Sequence, residues 1–277
     1  MKRLTFCVMF IGLMFLIFSL PDRSLAKIDP ADIIAVWDFT KIEGNTAVDT
    51  EGKGINGTIN GNPKEVKGII DVALQFDGSS DYIAIPDSNF INTGGPFPNR
   101  TIIALFSCDD VKASGKQTIY EEGGRTRGFC IYVAEGKVWV GGWNRAEYNW
   151  NGAWLSAPIR SNEWHYVGLV LRDGREKVEK DKFEMRLDGE LVAKDSGGQL
   201  HGHSDNIGIG VTNQNTVFHD NDGSGSNRDY FKGLIEEVKL YSSALSEEDL
   251  KEMMGGLFAV QPFDKLATSW GKIKLRK

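Results

Sequence analysis

Five aromatic rings, Trp139, Trp143, Tyr148, Trp150 and Trp154, crowd one stretch of this chain, interleaved with Asn144, Arg145, Glu147, Asn149 and Asn151. Flat rings flanked by amides and a guanidinium suit a sugar, which offers C–H faces for stacking and hydroxyls for hydrogen bonds. Trp143, Asn144, Arg145, Tyr148, Trp150 and Trp154 are therefore the candidate ligand-binding residues. Trp139 alternates with Val138 and Val140 and is expected to be buried in a strand. Trp150 follows a bend at Gly141–Gly142 and lies between two asparagines, so it is expected to be displayed on a loop at a sheet's end. The competing reading for any single ring is that it covers the end of the core.

A second group could take a cation. Asp220, Asp222 and Asp229 supply oxygen donors of the kind calcium binds, and calcium is the one cofactor the sequence suggests. The segment misses the EF-hand register, because Phe231 stands where the twelfth-position ligand belongs, and a solvated polar loop is the plainer reading. His201 and His203 have no further ligand at a zinc-like spacing, and His165, inside a strand pattern, reads as a hydrogen-bonded core residue. The chain carries no Gly-x-Ser-x-Gly elbow, P-loop or zincin motif.

The elements that must position these residues are strands. Trp164–Leu171 is apolar on both parities, as in a central strand, and in Phe183–Leu187 the alternation predicts a strand covered on one side only. Asp188–Gly189 fits a two-residue type I′ turn, after which Leu191–Ala193 returns. Further strand patterns lie at 33–39, 72–76, 82–85, 101–107, 116–122, 127–134 and 137–143. About a dozen short strands predict an all-β, two-sheet antiparallel sandwich. One short C-terminal helix is expected, with Ser246 as N-cap, acids in its first turn and Gly255 as its stop.

Four pieces of this pattern carry a family resemblance. Leu74–Ile83 with its Phe76-Asp77-Gly78 and Asp81-Tyr82, the hairpin from Trp164 to Val192, Asn206–Gly210, and Gly233–Tyr241 followed by Ala244-Leu245-Ser246 together resemble the laminin G-like, concanavalin A-like jelly-roll domains of secreted bacterial proteins. The resemblance implies a jelly roll. It departs at Glu236, where the family's closing strand usually carries Asp. The same superfamily includes glucanases whose carboxylates alternate along one strand as E-x-D-x-x-E; Glu184, Asp188, Glu190 and Glu236–Glu237 do not have that spacing, so a glycosidase is the least favoured reading.

The N-terminus reads as an export signal. Lys2–Arg3 precedes an apolar run from Leu4 to Leu20, and Ser24-Leu25-Ala26 predicts cleavage after Ala26. The expected organisation is a signal peptide at 1–26, one domain at 27–256 and a tail at 257–277. With a net charge of −6 and scattered lysines and arginines, the chain lacks a face for nucleic acid or, after signal removal, for membrane. In an oxidising compartment Cys108 and Cys130 are expected to form a disulfide, with two buried thiols as the alternative. The whole predicts a secreted, monomeric, non-catalytic module for a glycan or glycosylated surface, with a protein-binding or cell-surface adhesion module as runner-up.

Overall fold

The computed structural model describes residues 28–204, 206–223 and 225–258. The expected signal peptide, its cleavage site after Ala26 and the tail beyond Phe258 lie outside them. In chain order the strands are β1 (Ile33–Trp37), β2 (Ile42–Glu43), β3 (Thr46–Ala47), β4 (Gly57–Asn60), β5 (Lys64–Lys67), β6 (Val72–Asp77), β7 (Tyr82–Ile85), β8 (Arg100–Cys108), β9 (Gln117–Gly123), β10 (Arg127–Ala134), β11 (Lys137–Asn144), β12 (Trp150–Pro158), β13 (Trp164–Leu171), β14 (Glu179–Leu187), β15 (Glu190–Gly197), β16 (Ile207–Ile209) and β17 (Lys232–Tyr241). Helix α1 (Glu247–Phe258) follows.

These strands form two antiparallel sheets. An eight-stranded sheet runs β15-β14-β13-β8-β17-β6-β5, with β1 also paired to β17; a nine-stranded sheet runs β12-β11-β10-β9-β16-β7-β4-β3-β2. The predicted sandwich and its central strand are both present: β13 pairs with β8 on one side and β14 on the other. Asp188 and Gly189 close the β14–β15 hairpin at φ 52° and 90°, the left-handed values a type I′ turn needs. Between the sheets lies one apolar core that includes Trp37, Phe76, Phe106, Phe129, Phe183 and Phe231.

Each sheet is also covered on its outer side. On the eight-stranded sheet, Ile103, Leu105, Tyr166 and Val170 pack under Leu245, Leu250 and Met254. Ser246 caps α1 as expected: its Oγ accepts from Asp249 N at 3.1 Å, and its own N–H reaches the Asp249 carboxylate at 3.2 Å. The helix does not stop at Gly255. It runs on through Gly255 and Gly256 to Phe258, although each glycine costs about 1 kcal/mol relative to alanine in a helix. Strand β14 is consequently covered on both sides, against expectation: Glu184 is only 1% exposed and accepts from Arg172 at 3.0 Å and Lys194 at 3.1 Å.

The outer side of the nine-stranded sheet carries the segment 211–223 instead. Val217 and Phe218 pack on Cys130, Tyr132 and Trp143, and the Thr118 and Thr212 hydroxyls pair at 2.9 Å. This layering separates the cysteines. Cys108 points into the core between the sheets, whereas Cys130 points to the outer side of the nine-stranded sheet, and both are free and buried. The expected disulfide is therefore not formed.

Candidate functional site

On β11 the valines, not the tryptophan, face the core. Val138 and Val140 are buried between the sheets, while Trp139, Gly141 and Trp143 face outward, where the 211–223 segment gives rings something to pack on. Trp139 is accordingly half-buried on the outer face, and the His219 ring stacks on it at 4.0 Å and 9°. Tyr132 holds that imidazole through a 2.8 Å contact between its hydroxyl and His219 Nδ1.

Trp150 is the converse. It is 2% exposed in the core and meets Phe183 edge-on at 5.8 Å, so it is not displayed on a loop. The β11–β12 register shifts between Gly142 and Asn144, and Gly152 sits at φ 138°. That irregularity reverses the alternation of β12, so Trp150 and Ala153 both point inward and Trp154 points out.

Trp154 lies opposite Gly141 on the outer face and is half-buried. Glycine at two positions lets the indole lie flat on the sheet: a Cβ on Gly152 would come within 1.9 Å of the ring, and one on Gly141 within 2.8 Å. Beside it, Arg145 donates from Nε to Asn151 O at 3.1 Å and from Nη2 to Asn221 Oδ1 at 2.8 Å. Its backbone N–H reaches Thr126 O at 2.8 Å, and Trp143, wholly buried, donates from Nε1 to Gly124 O at 2.8 Å. Trp143 thus pins the β9–β10 turn from beneath and presents no face to a ligand.

The remaining candidates meet the loops at the sandwich end. Asn144, fully buried, donates to Gln199 O at 2.8 Å, and the Tyr148 hydroxyl reaches Gln199 Oε1 at 3.4 Å with its ring tilted on His201. Glu147 takes a two-pronged pair from Arg127, whose hydrogen bonds hold its carboxyl below the ordinary value. Next to this pair is an open pocket of about 450 Å³ lined by Thr93, Thr126, Arg127, Gly202, His203 and Ser204. Buried Arg100 anchors the loop on its far side, donating to Phe90 O and Ile91 O at 3.0 and 2.9 Å. Both His203 ring nitrogens are shut off from solvent; burial first, then the Arg100 and Arg127 charges, lower its pKa to about 4.

The other sequence candidates have structural partners. Lys116 pairs with Asp220 at 2.8 Å and Asp222 at 3.7 Å. Asp229 lies 3.3 Å from Arg228, its carboxyl raised by burial. Among the described residues no group of three or more His, Cys, Asp or Glu is placed to hold a metal, so these three aspartates are not gathered into one site. Asp188 binds His165 Nδ1 at 3.0 Å and Tyr166 N at 2.9 Å, which makes His165 the hydrogen-bonded core residue expected of it. Glu236 takes backbone N–H groups from Ile69 and Ile70, each at 2.7 Å, and from Asp71. Its longer side chain holds that turn, and a Cβ on Gly68 would come within 2.4 Å of the carboxylate. Sequence reasoning missed Arg125, Thr126 and Arg127; the Gly123-Gly124-Arg125-Thr126-Arg127-Gly128 string between two strand patterns was the available signal.

Comparison with known proteins agrees with this architecture. A family profile described as the concanavalin A-like lectin/glucanases superfamily matches residues 77–251. No curated protein matches the chain in sequence. Among solved structures, the binding domain of Paraclostridial Mosquitocidal Protein 1 is similar with a TM-score of 0.62 and 12% identity, over 83% of this chain and 53% of that one. The receptor binding domain of botulinum neurotoxin C/D mosaic serotype follows at 0.58 and 16%, over 82% and 52%. Domain 4 of AbnA, an extracellular arabinanase from Geobacillus stearothermophilus in complex with arabinotriose, gives 0.58 and 16%, over 81% and 98%. The chain thus spans about half the length of the two toxin domains and nearly all of the arabinanase domain, which is one part of a larger enzyme. With the profile covering most of the chain and the two-sheet architecture beneath it, the chain belongs to the concanavalin A-like lectin/glucanases superfamily.

Proposed function

We propose that this protein is an exported, non-catalytic module that binds a glycan on the rim formed by Trp154, Arg145 and Asn151, with the pocket at Thr126 and Arg127 alongside. The observation that carries the reading is the Trp154 ring, laid flat over Gly141 and Gly152 and left partly open beside a guanidinium already fixed by two hydrogen bonds. An aromatic face with preset polar neighbours suits a sugar's C–H face and hydroxyls, and fixing the polar groups beforehand reduces the entropy lost on binding. The toxin binding domains among its structural neighbours, and an arabinanase domain seen in complex with arabinotriose, support a binding role. Export rests on the apolar run from Leu4 to Leu20 and the Ser24-Leu25-Ala26 boundary.

A glycan array probed with the wild type and Trp154→Ala tests the reading. The wild type is expected to bind a subset of glycans and Trp154→Ala to lose them. Equal binding by both, or no glycan bound by either, overturns it. A protein-binding role is the second reading, favoured by Leu191 and Val192, 39% and 40% exposed on the edge strand β15.

A further inference from the structure

The rim proposed above holds charges that the rest of the molecule does not neutralise. Arg145 N bonds to Thr126 O, which sets residue 145 directly against the β9–β10 turn, and, after burial, the charge of another arginine, Arg125, is what disfavours its protonated form. Arg145 donates only to a carbonyl and an amide oxygen. Arg125 is exposed and forms no ion pair among the described residues. The acids around them are engaged or buried: Glu147 pairs with Arg127, Asp220 and Asp222 beside Asn221 pair with Lys116, and Glu121 and Glu122, which precede the turn, are fully buried in β9.

Two adjacent guanidiniums without a carboxylate repel one another, and the fold builds this arrangement rather than tolerating it at a loose end. Trp143 Nε1 ties the turn at Gly124, while Asn221 and Asn151 hold the Arg145 fork in place. The chain as a whole carries a net charge of −6, so an anionic polymer gains nothing from the distant field. It would feel this pair only within a screening length of about 8 Å at physiological salt, which is contact range. The planar guanidinium matches the two oxygens of a carboxylate or sulfate.

We infer that the glycan bound at this rim is acidic, with its carboxylate or sulfate group held between Arg125 and Arg145 and a neighbouring sugar ring on Trp154. The inference rests on the glycan-binding reading and adds to it the charge of the ligand.

Calorimetric titration of the purified protein with paired oligosaccharides tests it. One pair is oligogalacturonate and its methyl ester, which share a sugar backbone and differ in the free carboxylates; the other is a sulfated carrageenan oligosaccharide and an uncharged agarose one. At least one charged member is expected to bind at least tenfold more tightly than its partner, and the pair that responds tells carboxylate from sulfate. Raising the salt concentration should weaken that binding. Arg125→Gln, a change at an exposed side chain, should lower the charged ligand's affinity about tenfold, or about 1.4 kcal/mol, and leave any uncharged binding unchanged. Arg145→Gln should lower the charged affinity at least as much and, because Arg145 is part of the rim itself, weaken uncharged binding too. Equal affinity within both pairs, or an unaltered charged affinity in Arg125→Gln, overturns the acidic ligand while leaving the glycan reading in place. If no oligosaccharide binds here and none binds on the array, both fall.

Discussion

The two sides of the strand pair β11–β12 use the same residue types for different ends. On the inner side Val138, Val140, Leu155 and Trp150 fill the space between the sheets, and little of them reaches solvent. On the outer side Trp139 and Trp154 lie at the margin of an irregular cover, partly open, with His219 of that cover stacked on Trp139 and Arg145 bonded to it through Asn221. The difference lies in what covers each side. A second sheet leaves no gap for a ligand, whereas the 211–223 segment covers the middle of its sheet and leaves a rim. Tryptophan content alone therefore says nothing about binding; the layer a ring faces decides its use.

The sharpest test of that contrast is Trp150→Ala. Emptying a site in the closed layer should cost about 3–5 kcal/mol in chemical denaturation. A cost near that of a surface change would mean that the inner side is not the closed layer described.

The loop end adds a second closed place. His203 is held near pKa 4, against about 6.5 for a free imidazole, so the unfolded chain takes up a proton that the folded chain refuses between those values. Stability should fall as the pH drops from 6.5 to 4, with His203 contributing up to about 3 kcal/mol. Comparing denaturation midpoints of wild type and His203→Asn over that range isolates the contribution; identical slopes would place His203 in contact with solvent.

Gly152→Ala probes the boundary between the two sides. A side chain at φ 138° is strained, and its Cβ would displace the Trp154 ring, so a loss of about 1–3 kcal/mol and of glycan binding is expected. Trp154→Ala should have the smallest effect on stability, about 1 kcal/mol or less, with its effect confined to binding. A stability loss matching that of Trp150→Ala would erase the distinction between the two sides.

The sandwich was legible in the sequence because its signals are local. Asp188–Gly189 specifies a turn on its own, the run from Trp164 to Leu171, apolar on both parities, reads as a central strand without a distant partner, and Ser246 with Asp249 caps α1 within one turn. The placement of the rings was not, for two reasons. A register shift at Gly152 reverses the side-chain parity, and nothing short of the neighbouring strand reveals it. Trp139 faces outward because residues far along the chain, Val217 to His219, fold back over it. Of the six residues proposed to bind, Arg145, Tyr148 and Trp154 remain at the surface; Trp143, Asn144 and Trp150 are buried as its supports. Arg125 escaped notice because a lone arginine in a turn is ordinary until Arg145 is set beside it.

The separation of the two cysteines gives the molecule a pair of internal clocks. Burial raises the Cys108 thiol to about 11 and pushes the Cys130 thiol well above the ordinary thiol value, so neither is a ready nucleophile while the fold is closed. A thiol reagent can then modify Cys108 only when the two sheets part, and Cys130 only when the 211–223 segment lifts from its sheet. With one cysteine replaced by Ala at a time, the labelling rate of the other times a single opening event. If the outer cover moves independently of the core, Cys130 will react much faster than Cys108, in a protein that remains folded throughout.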